Sequence, residues 1–489
     1  MTQNEALDIL KLGHNVYLTG PAGSGKTYLL NQYIAYLRSH QIPVGITAST
    51  GIAATHMGGV TIHSWAGMGI KDSMTESDIH ELFRRSYLKS RFKKTRVLII
   101  DEISMLHAHR LDLVHAICRA FKRIDQPFGG MQIVMCGDFF QLPPIEKNPK
   151  LEYRNSKQIQ NTNDQNAKRF EHSDFKNSEI VSPSSEDLRD FEFRASNLRS
   201  NFVTESDIWR QMLLKTCYLD EQHRQDDRAF LRVLNDIRNN EVSEMTVEYL
   251  SERLNKEIKG PGGVSPTRLF THNADVDSMN NMHLGELPGE PHEYYMSSRG
   301  KLGLTEILKK SCLAPQTLVL KKGAQVMFVK NNYEVGYVNG TLGEVIGFDE
   351  ERRPVVRTFD GAEITVKEAS WEVKEENTEL AAISQLPLRL AWAITVHKSQ
   401  GMSLDAAEID LSRAFTPGMG YVALSRVRNL SGLKLMGMNQ MALQVNPEVA
   451  AMDLEFKRQS DAGMLYIQGM SAAKKAKMQS DYLQYLRGI

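Results

Sequence analysis

The sequence predicts a multidomain α/β protein with two parallel-sheet domains in tandem and a small antiparallel β-barrel inserted in the second. Buried-strand patterns alternate with helical patterns near the amino terminus and again after residue 386. Between these regions, short strand-like segments are separated by turn residues, which is typical of a small barrel. The 489 residues are enough for about three domains of ordinary size.

The composition is that of a globular enzyme and excludes several other classes. The 59 Lys and Arg residues balance 59 Asp and Glu residues, and 41% of the residues are hydrophobic. No run of about 18 apolar residues predicts a membrane helix. The four cysteines lack metal-ligand spacing, so neither a zinc site nor a disulfide framework is expected. We therefore expect a cytoplasmic protein without a membrane partner.

The first predicted domain comprises residues 1–60 and 77–215. Its strands are apolar along most of their length, as expected for strands covered on both faces of a parallel sheet. They are the segments NVYLTG, PVGITAST, VLII and QIVMC. Residues 147–201 are rich in Asn, Gln, Ser and charged side chains without any periodicity, which predicts a polar insert.

The second predicted domain comprises residues 216–295 and 386–450, because the α/β pattern begins near KTCYLDEQHRQ and resumes at LRLAWAITVHKSQG. The barrel is placed at 296–385, where short strands and turns alternate. Its strand segments are QVMFV, TLGEVIGF, PVVRTF and EITVKEASWEV. Residues 451–489 are predicted to form a C-terminal helical tail.

A nucleotide-binding loop lies between a predicted strand and the helix that follows it. Residues 20–27 match G-x-x-x-x-G-K-[ST], whose glycines let backbone N–H groups face a phosphate at the positive end of a helix. Lys26 is predicted to reach the β- and γ-phosphates of ATP, and the Thr27 hydroxyl to bind Mg²⁺. The predicted ATP-binding residues of this loop are Gly20, Pro21, Ala22, Gly23, Ser24, Gly25, Lys26 and Thr27.

Two carboxylates and an amide follow buried strands at the same predicted sheet edge. Asp101 and Glu102 end the run VLII, where Asp101 would hold Mg²⁺ through water and Glu102 would deprotonate the attacking water. Gln141 follows the strand QIVMC, where its amide can sense the γ-phosphate. The loop and the acid pair alone predict a P-loop ATPase and leave kinases, transporter ATPases and ring-forming ATPases open.

The order of the motifs resembles that of the Pif-type (petite integration frequency) DNA helicases of superfamily 1B, which are relatives of the RecD helicases. The motifs are GPAGSGKT, ASTGIAA, TIHSWAG, IDEISML, PFGGMQIVMCGDFFQLPP, LDEQHRQ, AWAITVHKSQGMSLD and GYVALSRVR. They cover nearly the whole chain except the polar insert and the C-terminal residues. The resemblance implies two RecA-like domains, a wedge subdomain at 61–76 and an SH3-like barrel at 296–385.

The resemblance also implies the remaining residues of the ATPase site. Gln3 is implied to contact the adenine, and Arg224 and Arg426 are implied to be arginine fingers supplied by the second domain. An arginine finger stabilises charge on the transferred phosphoryl group and is worth about 10³ to 10⁵ in rate. The catalytic residues expected are therefore Lys26, Glu102, Gln141, Arg224 and Arg426.

Single-stranded DNA is expected to bind hydroxyls, amides and a helix N-terminus that lie just past strand ends. Trp65 is either a base-stacking or strand-splitting side chain or an ordinary buried tryptophan. The resemblance implies that the barrel is a clamp or a strand-separation aid with Asn339 at a DNA-contacting turn, and the alternative is a structural lid. The expected DNA-binding residues are Ser49, Thr50, Gly51, Thr61, His63, Ser64, Trp65, Thr271, His272, Asn273, Asn339, His397, Lys398 and Ser399.

The function implied is ATP- and Mg²⁺-dependent translocation 5′ to 3′ on single-stranded DNA, with unwinding of forks. Single-strand/double-strand junctions and G-quadruplexes are the further partners expected of a monomer of bacterial or phage origin, associated with the nucleoid when on DNA. An ATP-gated DNA-binding remodeller and a RecD- or relaxase-like motor subunit remain as alternatives. The net charge of +0 fits a motor that must release each phosphate, since helix termini and amides can replace a basic patch.

Overall fold

The computed structural model describes residues 1–69, 71, 73–141, 202–220, 227–258, 260, 263–270, 276–375 and 378–488. Arg224, the DNA-binding candidates Thr271, His272 and Asn273, and the predicted polar insert at 147–201 lie outside these ranges. Among the helices of the described ranges, none is long and apolar enough to span a membrane.

Parallel strands form the sheet of the first domain. They are β1 (Val16–Thr19), β2 (Val44–Ala48), β3 (Val60–Thr61), β4 (Val97–Asp101), β5 (Gln132–Cys136) and β6 (Lys215–Tyr218). Their order is β3-β2-β4-β5-β1-β6. β1, β4 and β5 are buried at every residue, as their continuous apolar runs predict for strands covered on both faces. Parallel pairing brings the carboxyl ends of all six strands to one edge of the sheet.

Helices cover both faces of this sheet. They are α1 (Gln3–Lys11), α2 (Lys26–Ser39), α3 (Gly51–His56), α4 (Ile62–Ala66), α5 (Glu76–Leu82), α6 (Ser86–Lys94), α7 (Ala108–Lys122) and α8 (Asp207–Gln211). Side-chain oxygens of Thr2, Thr50 and Thr61 cap the first backbone N–H groups of α1, α3 and α4. In contrast, α2 follows Gly25, so no side chain satisfies the N–H groups at its start.

A second parallel sheet forms the core of the second domain. Its strands are β7 (Thr267–Phe270), β18 (Ala393–Thr395), β19 (Ala407–Leu411) and β20 (Leu433–Met438), in the order β18-β7-β19-β20. Its helices are α9 (Arg228–Arg238), α10 (Glu244–Ser251), α11 (Val276–Glu286) and α13 (Met419–Leu424). β7 pairs with both β18 and β19, so the long insertion between β7 and β18 leaves the sheet continuous.

The insertion between β7 and β18 is mostly antiparallel. It contains β8 (His292–Tyr295), β9 (Ser297–Gly300), α12 (Leu302–Ser311), β10 (Thr317–Leu320), β11 (Gln325–Phe328), β12 (Leu342–Phe348), β13 (Pro354–Thr358), β14 (Glu363–Thr365), β15 (Ala369–Glu375), β16 (Thr378–Gln385) and β17 (Leu388–Leu390). The sheets are β14-β13-β12-β11-β17, β15-β16-β9 and β10-β8. The predicted limits 296–385 leave out β8 and β17, and the prediction missed α12, whose apolar Leu304 and Leu308 lie one helical turn apart.

The C-terminal helices pack against the first domain. They are α14 (Pro447–Gln468) and α15 (Ala472–Arg487). The Tyr218 backbone N–H donates to the Ser460 hydroxyl at 3.0 Å, and the Thr216 hydroxyl donates to the Gln459 side chain at 2.7 Å. Both bonds join α14 to β6. The Tyr482 hydroxyl of α15 donates to Gln132 of β5 at 3.1 Å.

The predicted domain boundary between residues 215 and 216 is therefore wrong. It cuts through β6, which pairs with β1 from Val16↔Lys215 to Thr19↔Tyr218 and completes the first sheet. The reason is that an apolar strand at the end of one sheet has the same pattern as a strand that begins the next sheet.

Replacing Phe456 with alanine should destabilise the first domain. Phe456 of α14 is 8% exposed and its ring lies 4.9 Å from Tyr17 and 5.8 Å from Phe139. Truncation of such a side chain leaves a cavity, so we expect a loss of about 3 kcal/mol in the free energy of unfolding and a lower Tm in calorimetry. Leu454→Ala on the same helix is the control, because Leu454 is 69% exposed. Equal Tm values for the two variants would contradict the packing role of α14.

Candidate functional site

The phosphate loop joins β1 to the start of α2 and leaves an anion-binding backbone open. Gly23 and Gly25 have φ values of +88° and +82°, a conformation that a side chain would strain. Because no side chain caps α2, its first N–H groups point toward the loop with the positive end of the helix dipole. The Lys26 ammonium donates to the carbonyls of Gly20 and Pro21 at 2.8 and 3.0 Å, so the cation lies over the loop.

Two buried polar atoms beside the loop have no hydrogen-bond partner in the described part of the chain. They are the Ser24 hydroxyl oxygen and the side-chain carbonyl oxygen of Gln141. Buried polar groups are rarely left unpaired, so these atoms fit a site that a polar ligand completes. Gln3, implied to contact adenine, lies against the loop, where its amide donates to the Ser24 carbonyl at 3.4 Å. The residues present therefore suit a nucleoside triphosphate.

The acid pair lies at the end of β4. The Glu102 backbone N–H donates to the Asp101 carboxylate at 2.8 Å. Burial and the Asp101 carboxylate raise the pKa of Glu102 to about 7, and the cations Lys26 and Arg426 oppose that shift. Glu102 is also in the left-handed region at φ +50°, which costs about 1–3 kcal/mol in a residue other than glycine. A carboxylate with a raised pKa and a strained backbone is typical of a general base.

Thr27 and Asp101 supply oxygen ligands of the kind that Mg²⁺ prefers. Thr27 is exposed in the first turn of α2, and Asp101 is buried at the end of β4. Within the described ranges, no three His, Cys, Asp or Glu side chains form a group that could hold a metal ion. An ion held by this hydroxyl and carboxylate would take its other ligands from water and phosphate.

Arg426 reaches this site from the second domain. It follows α13 and is 2% exposed, with its side chain donating to the Val422 carbonyl and the Ser425 hydroxyl, each at 3.1 Å. Arg426 acts to lower the pKa of Glu102. In turn, burial lowers the pKa of Arg426, and the Glu102 carboxylate opposes that shift. An arginine from one domain is therefore within electrostatic range of the acid pair of the other. Arg224 lies outside the described residues.

Ser49, Thr50 and Gly51 lie beside the acid pair, past the end of β2. The Ser49 hydroxyl donates to the Glu102 carbonyl at 2.6 Å, and its backbone N–H donates to the Asp101 carbonyl at 3.0 Å. Thr50 caps α3. A Cβ atom on Gly51 would lie 2.4 Å from the Ser311 hydroxyl of α12, so the insertion packs closely over this helix N-terminus.

The structure corrects the prediction that Trp65 stacks on DNA bases. Trp65 is 3% exposed and its ring packs edge-on against Phe92 at 4.8 Å. Of its neighbours, the Thr61 hydroxyl accepts the Ser64 backbone N–H as the cap of α4, and His63 lies 3.3 Å from the Arg110 guanidinium. Trp65 is therefore a core residue of the first domain.

The structure also corrects Ser399. Its side chain is fully buried, and its hydroxyl donates to the Val396 carbonyl at 2.8 Å. Its neighbours differ: Lys398 pairs with Asp277 at 3.0 Å, and burial lowers the pKa of the half-buried His397. Asn339, expected at a DNA-contacting turn, is buried with its amide 3.4 Å from the ring of His56 in α3.

Sequence reasoning missed a buried charge network beside the ATPase site. Arg238 of α9 contacts Asp138, Tyr421 and Asp453, which come from three separate parts of the chain. Asp138 stands in the segment GDFFQLPP and Tyr421 in GYVALSRVR, so both lay within recognised motifs. The signal in the sequence was that Asp138 and Tyr421 each stand a few residues before a predicted site residue, Gln141 or Arg426. Nothing in the sequence links either of them to Arg238.

Comparison with known proteins places the chain in a family. A family model described as PIF1-like helicase matches residues 3–170, and one described as DNA helicase Pif1, 2B domain, matches 303–348. The chain is 42% identical to the ATP-dependent DNA helicase Pif1 of Psychrobacter sp. (strain PRwf-1), over 94% of this chain and 71% of the relative. It is 36% identical to the Xenopus laevis ATP-dependent DNA helicase PIF1, over 91% of this chain but 62% of that protein.

Solved structures agree with this placement. Unliganded Pif1 from Bacteroides sp. superposes with a TM-score of 0.71 at 30% identity, covering 93% of this chain and 96% of the other. Bacteroides Pif1 in complex with ADP-AlF3 and ssDNA gives a TM-score of 0.58 at 30% identity, with coverage of 94% and 97%. These neighbours confirm the mixed α/β fold with tandem RecA-like domains. Because the sequence relatives agree along nearly the whole chain, the chain belongs to the PIF1-like family of ATP-dependent DNA helicases.

Proposed function

We propose that this chain translocates 5′ to 3′ along single-stranded DNA, driven by ATP hydrolysis, and unwinds forked duplexes. The observation that carries the proposal is that Arg426, buried in the second domain, lies within electrostatic range of Glu102 in the first domain, so that ATP bound at the phosphate loop would be shared by two domains. The complex of the Bacteroides relative with ADP-AlF3 and ssDNA supports these two ligands. The direction of movement rests on the resemblance of the motifs.

The first step is capture of the triphosphate by the loop. Backbone N–H groups at the start of α2 receive the phosphates, and Lys26 exchanges the carbonyls of Gly20 and Pro21 for phosphate oxygens. Gln3 would contact the adenine, from its position beside Ser24. Mg²⁺, when bound at Thr27 and Asp101, would supply charge neutralisation for the phosphates.

Hydrolysis then needs a base, a sensor and a positive charge. Glu102 takes a proton from the attacking water, Gln141 donates a side-chain amide N–H to the γ-phosphate, and Arg426 stabilises the developing charge. Loss of the γ-phosphate removes the ligand that Gln141 and Arg426 share. The two sheets can then separate, and a strand held by both domains is moved by one cycle of closure and opening.

On the DNA side, we propose contacts from Ser49, Thr50, Gly51, Thr61, His63 and Ser64 in the first domain and from Thr271, His272, Asn273, Asn339, His397 and Lys398 in the second. The Ser49 hydroxyl donates to the Glu102 carbonyl, so a phosphate bound at Ser49 would be close to the acid pair. Helix N-termini and hydroxyls bind phosphate without a basic patch. This suits a chain with a net charge of +0.

The finer assignments are also proposals. They are Mg²⁺ as the metal, single-strand/double-strand junctions and G-quadruplexes as DNA partners, a monomer in solution, and association with the nucleoid. The Thr27 hydroxyl and the Asp101 carboxylate support the metal, because Mg²⁺ prefers oxygen ligands.

ATPase activity and strand separation together test this function. We expect hydrolysis by the full chain to be stimulated by single-stranded DNA, and duplexes with a 5′ tail to be unwound in preference to those with a 3′ tail. Lys26→Ala is the control, because it removes the cation that neutralises the phosphates and should abolish both activities. Stimulation without unwinding would favour the ATP-gated remodeller, and unwinding only from a 3′ tail would exclude the proposed direction.

Glu102→Gln should separate ATP binding from hydrolysis. The amide keeps the size of the side chain and cannot accept the proton from water, so kcat should fall by about 10² to 10⁴. The fluorescence of a labelled ATP analogue should still report binding, since the phosphate loop is unchanged. Hydrolysis within threefold of the wild type would show that another group is the base.

Arg426→Ala should also retain ATP binding and lose hydrolysis. We expect kcat to fall by about 10³ or more, because the guanidinium acts on charge that develops during phosphoryl transfer. Arg413→Ala is the matched control, since Arg413 is an exposed arginine of the same domain. A parallel loss of nucleotide affinity and kcat in Arg426→Ala would contradict the role of an arginine finger.

A further inference from the structure

A fully enclosed cation lies at the junction of the two domains. Arg238 of α9 is 3% exposed, and its guanidinium donates to the Asp138 carboxylate and to the Asp453 carboxylate, each at 2.9 Å. Asp138 follows β5 of the first sheet, and Asp453 lies in α14. A buried charge is costly unless it is paired on several sides, so this arginine holds the three elements in one arrangement.

The same guanidinium is linked to the phosphate loop through one hydroxyl. Arg238 donates to the Tyr421 hydroxyl of α13 at 3.0 Å, and the backbone N–H of Ala22 in the loop lies near enough to that hydroxyl to act on the pKa of Tyr421. The guanidinium stacks over the Phe140 ring at 4.0 Å. Tyr421 therefore lies between Arg238 and the backbone of the phosphate loop.

Two partners of Arg238, Asp138 and Tyr421, are close to residues of the ATPase site. The Asp138 carbonyl accepts the backbone N–H of Gln141 at 3.0 Å, so Asp138 fixes the start of the sensor segment. Tyr421 lies in α13, whose next residue, Val422, accepts the Arg426 side chain at 3.1 Å. Arg238 is thus linked through Asp138 to the Gln141 segment and through Tyr421 to the helix that precedes Arg426.

We propose that Arg238 is a positioning residue for ATP hydrolysis that fixes the Gln141 segment and the Arg426 helix relative to the phosphate loop. This proposal rests on the proposed ATPase function of the same site. The division of its bonds supports the role: one guanidinium nitrogen serves both Asp138 and Tyr421, and the other serves Asp453. A planar guanidinium can make these bonds at once, whereas the point charge of a lysine cannot.

Arg238→Lys and Tyr421→Phe test the proposal by steady-state ATPase kinetics with single-stranded DNA. Both variants keep a side chain of similar size and lose part of the contact. Because small displacements of reacting groups cost rate, we expect kcat to fall by about 10- to 100-fold with the KM for ATP within about threefold of the wild type. The double variant should be no slower than the slower single variant, since both changes break one unit.

Arg253→Lys is the matched control. Arg253 is a second buried arginine of the same domain, and it donates to the carbonyls of Leu433 and Ser431 at 2.7 and 2.8 Å, away from the ATPase site. Its replacement should lower Tm and leave kcat unchanged. The proposal is wrong if Arg238→Lys changes Tm alone, as this control does, or if the effects of the two single variants multiply.

The outcome also distinguishes this proposal from the function on which it rests. A wild-type chain without DNA-stimulated hydrolysis would contradict the proposed function itself. An active wild type with an unchanged kcat in Arg238→Lys would overturn only the positioning role. If Arg238→Lys fails to fold, Tyr421→Phe decides the question, because it removes a single hydroxyl and keeps the ring that packs 5.9 Å from Phe140.

Discussion

The common edge of the first parallel sheet is the constraint on which the rest of the structure depends. β1, β2, β4 and β5 end at this edge, and they carry the phosphate loop, the Ser49 segment, the acid pair and the Gln141 segment. Parallel pairing fixes these ends side by side, because every strand runs in the same direction. Residues separated by more than a hundred positions in the chain thereby meet around one uncapped helix. The backbone N–H groups at the start of α2, which no side chain caps, then make that edge suitable for binding phosphate.

The second domain completes this edge with charge and receives support from the C-terminal helices. Arg426 acts electrostatically on Glu102, while α14 packs on β6 of the first sheet and its Asp453 accepts a hydrogen bond from Arg238 of the second domain. The chain thus passes from the first domain to the second and returns to the first through α14. A change at the nucleotide can therefore reach both domains, because buried charged groups such as Arg238 and Asp453 join elements of one domain to elements of the other.

The face expected to bind DNA is continuous with the ATPase site. The Ser49 hydroxyl holds the carbonyl of Glu102, whose backbone is strained, and the next residue, Thr50, caps α3. The start of α3, which the Ser311 hydroxyl of α12 approaches closely, therefore lies a few bonds from Glu102. This geometry offers a physical route by which DNA could influence hydrolysis, and it needs no dense patch of basic side chains.

The sequence by itself determined the ATPase chemistry, because a phosphate loop and a strand-end acid pair are local patterns whose backbone context is also local. The positions of the first sheet's buried strands followed from their continuous apolar runs. Only the tertiary structure decided that β6 is an edge strand of the first sheet and that α14 packs against it. The tertiary structure likewise decided that Trp65 and Ser399 are buried. It also decided that Arg238 joins Asp138, Tyr421 and Asp453. Those outcomes depend on contacts between distant segments, and local periodicity carries no information about which apolar or charged surfaces will meet.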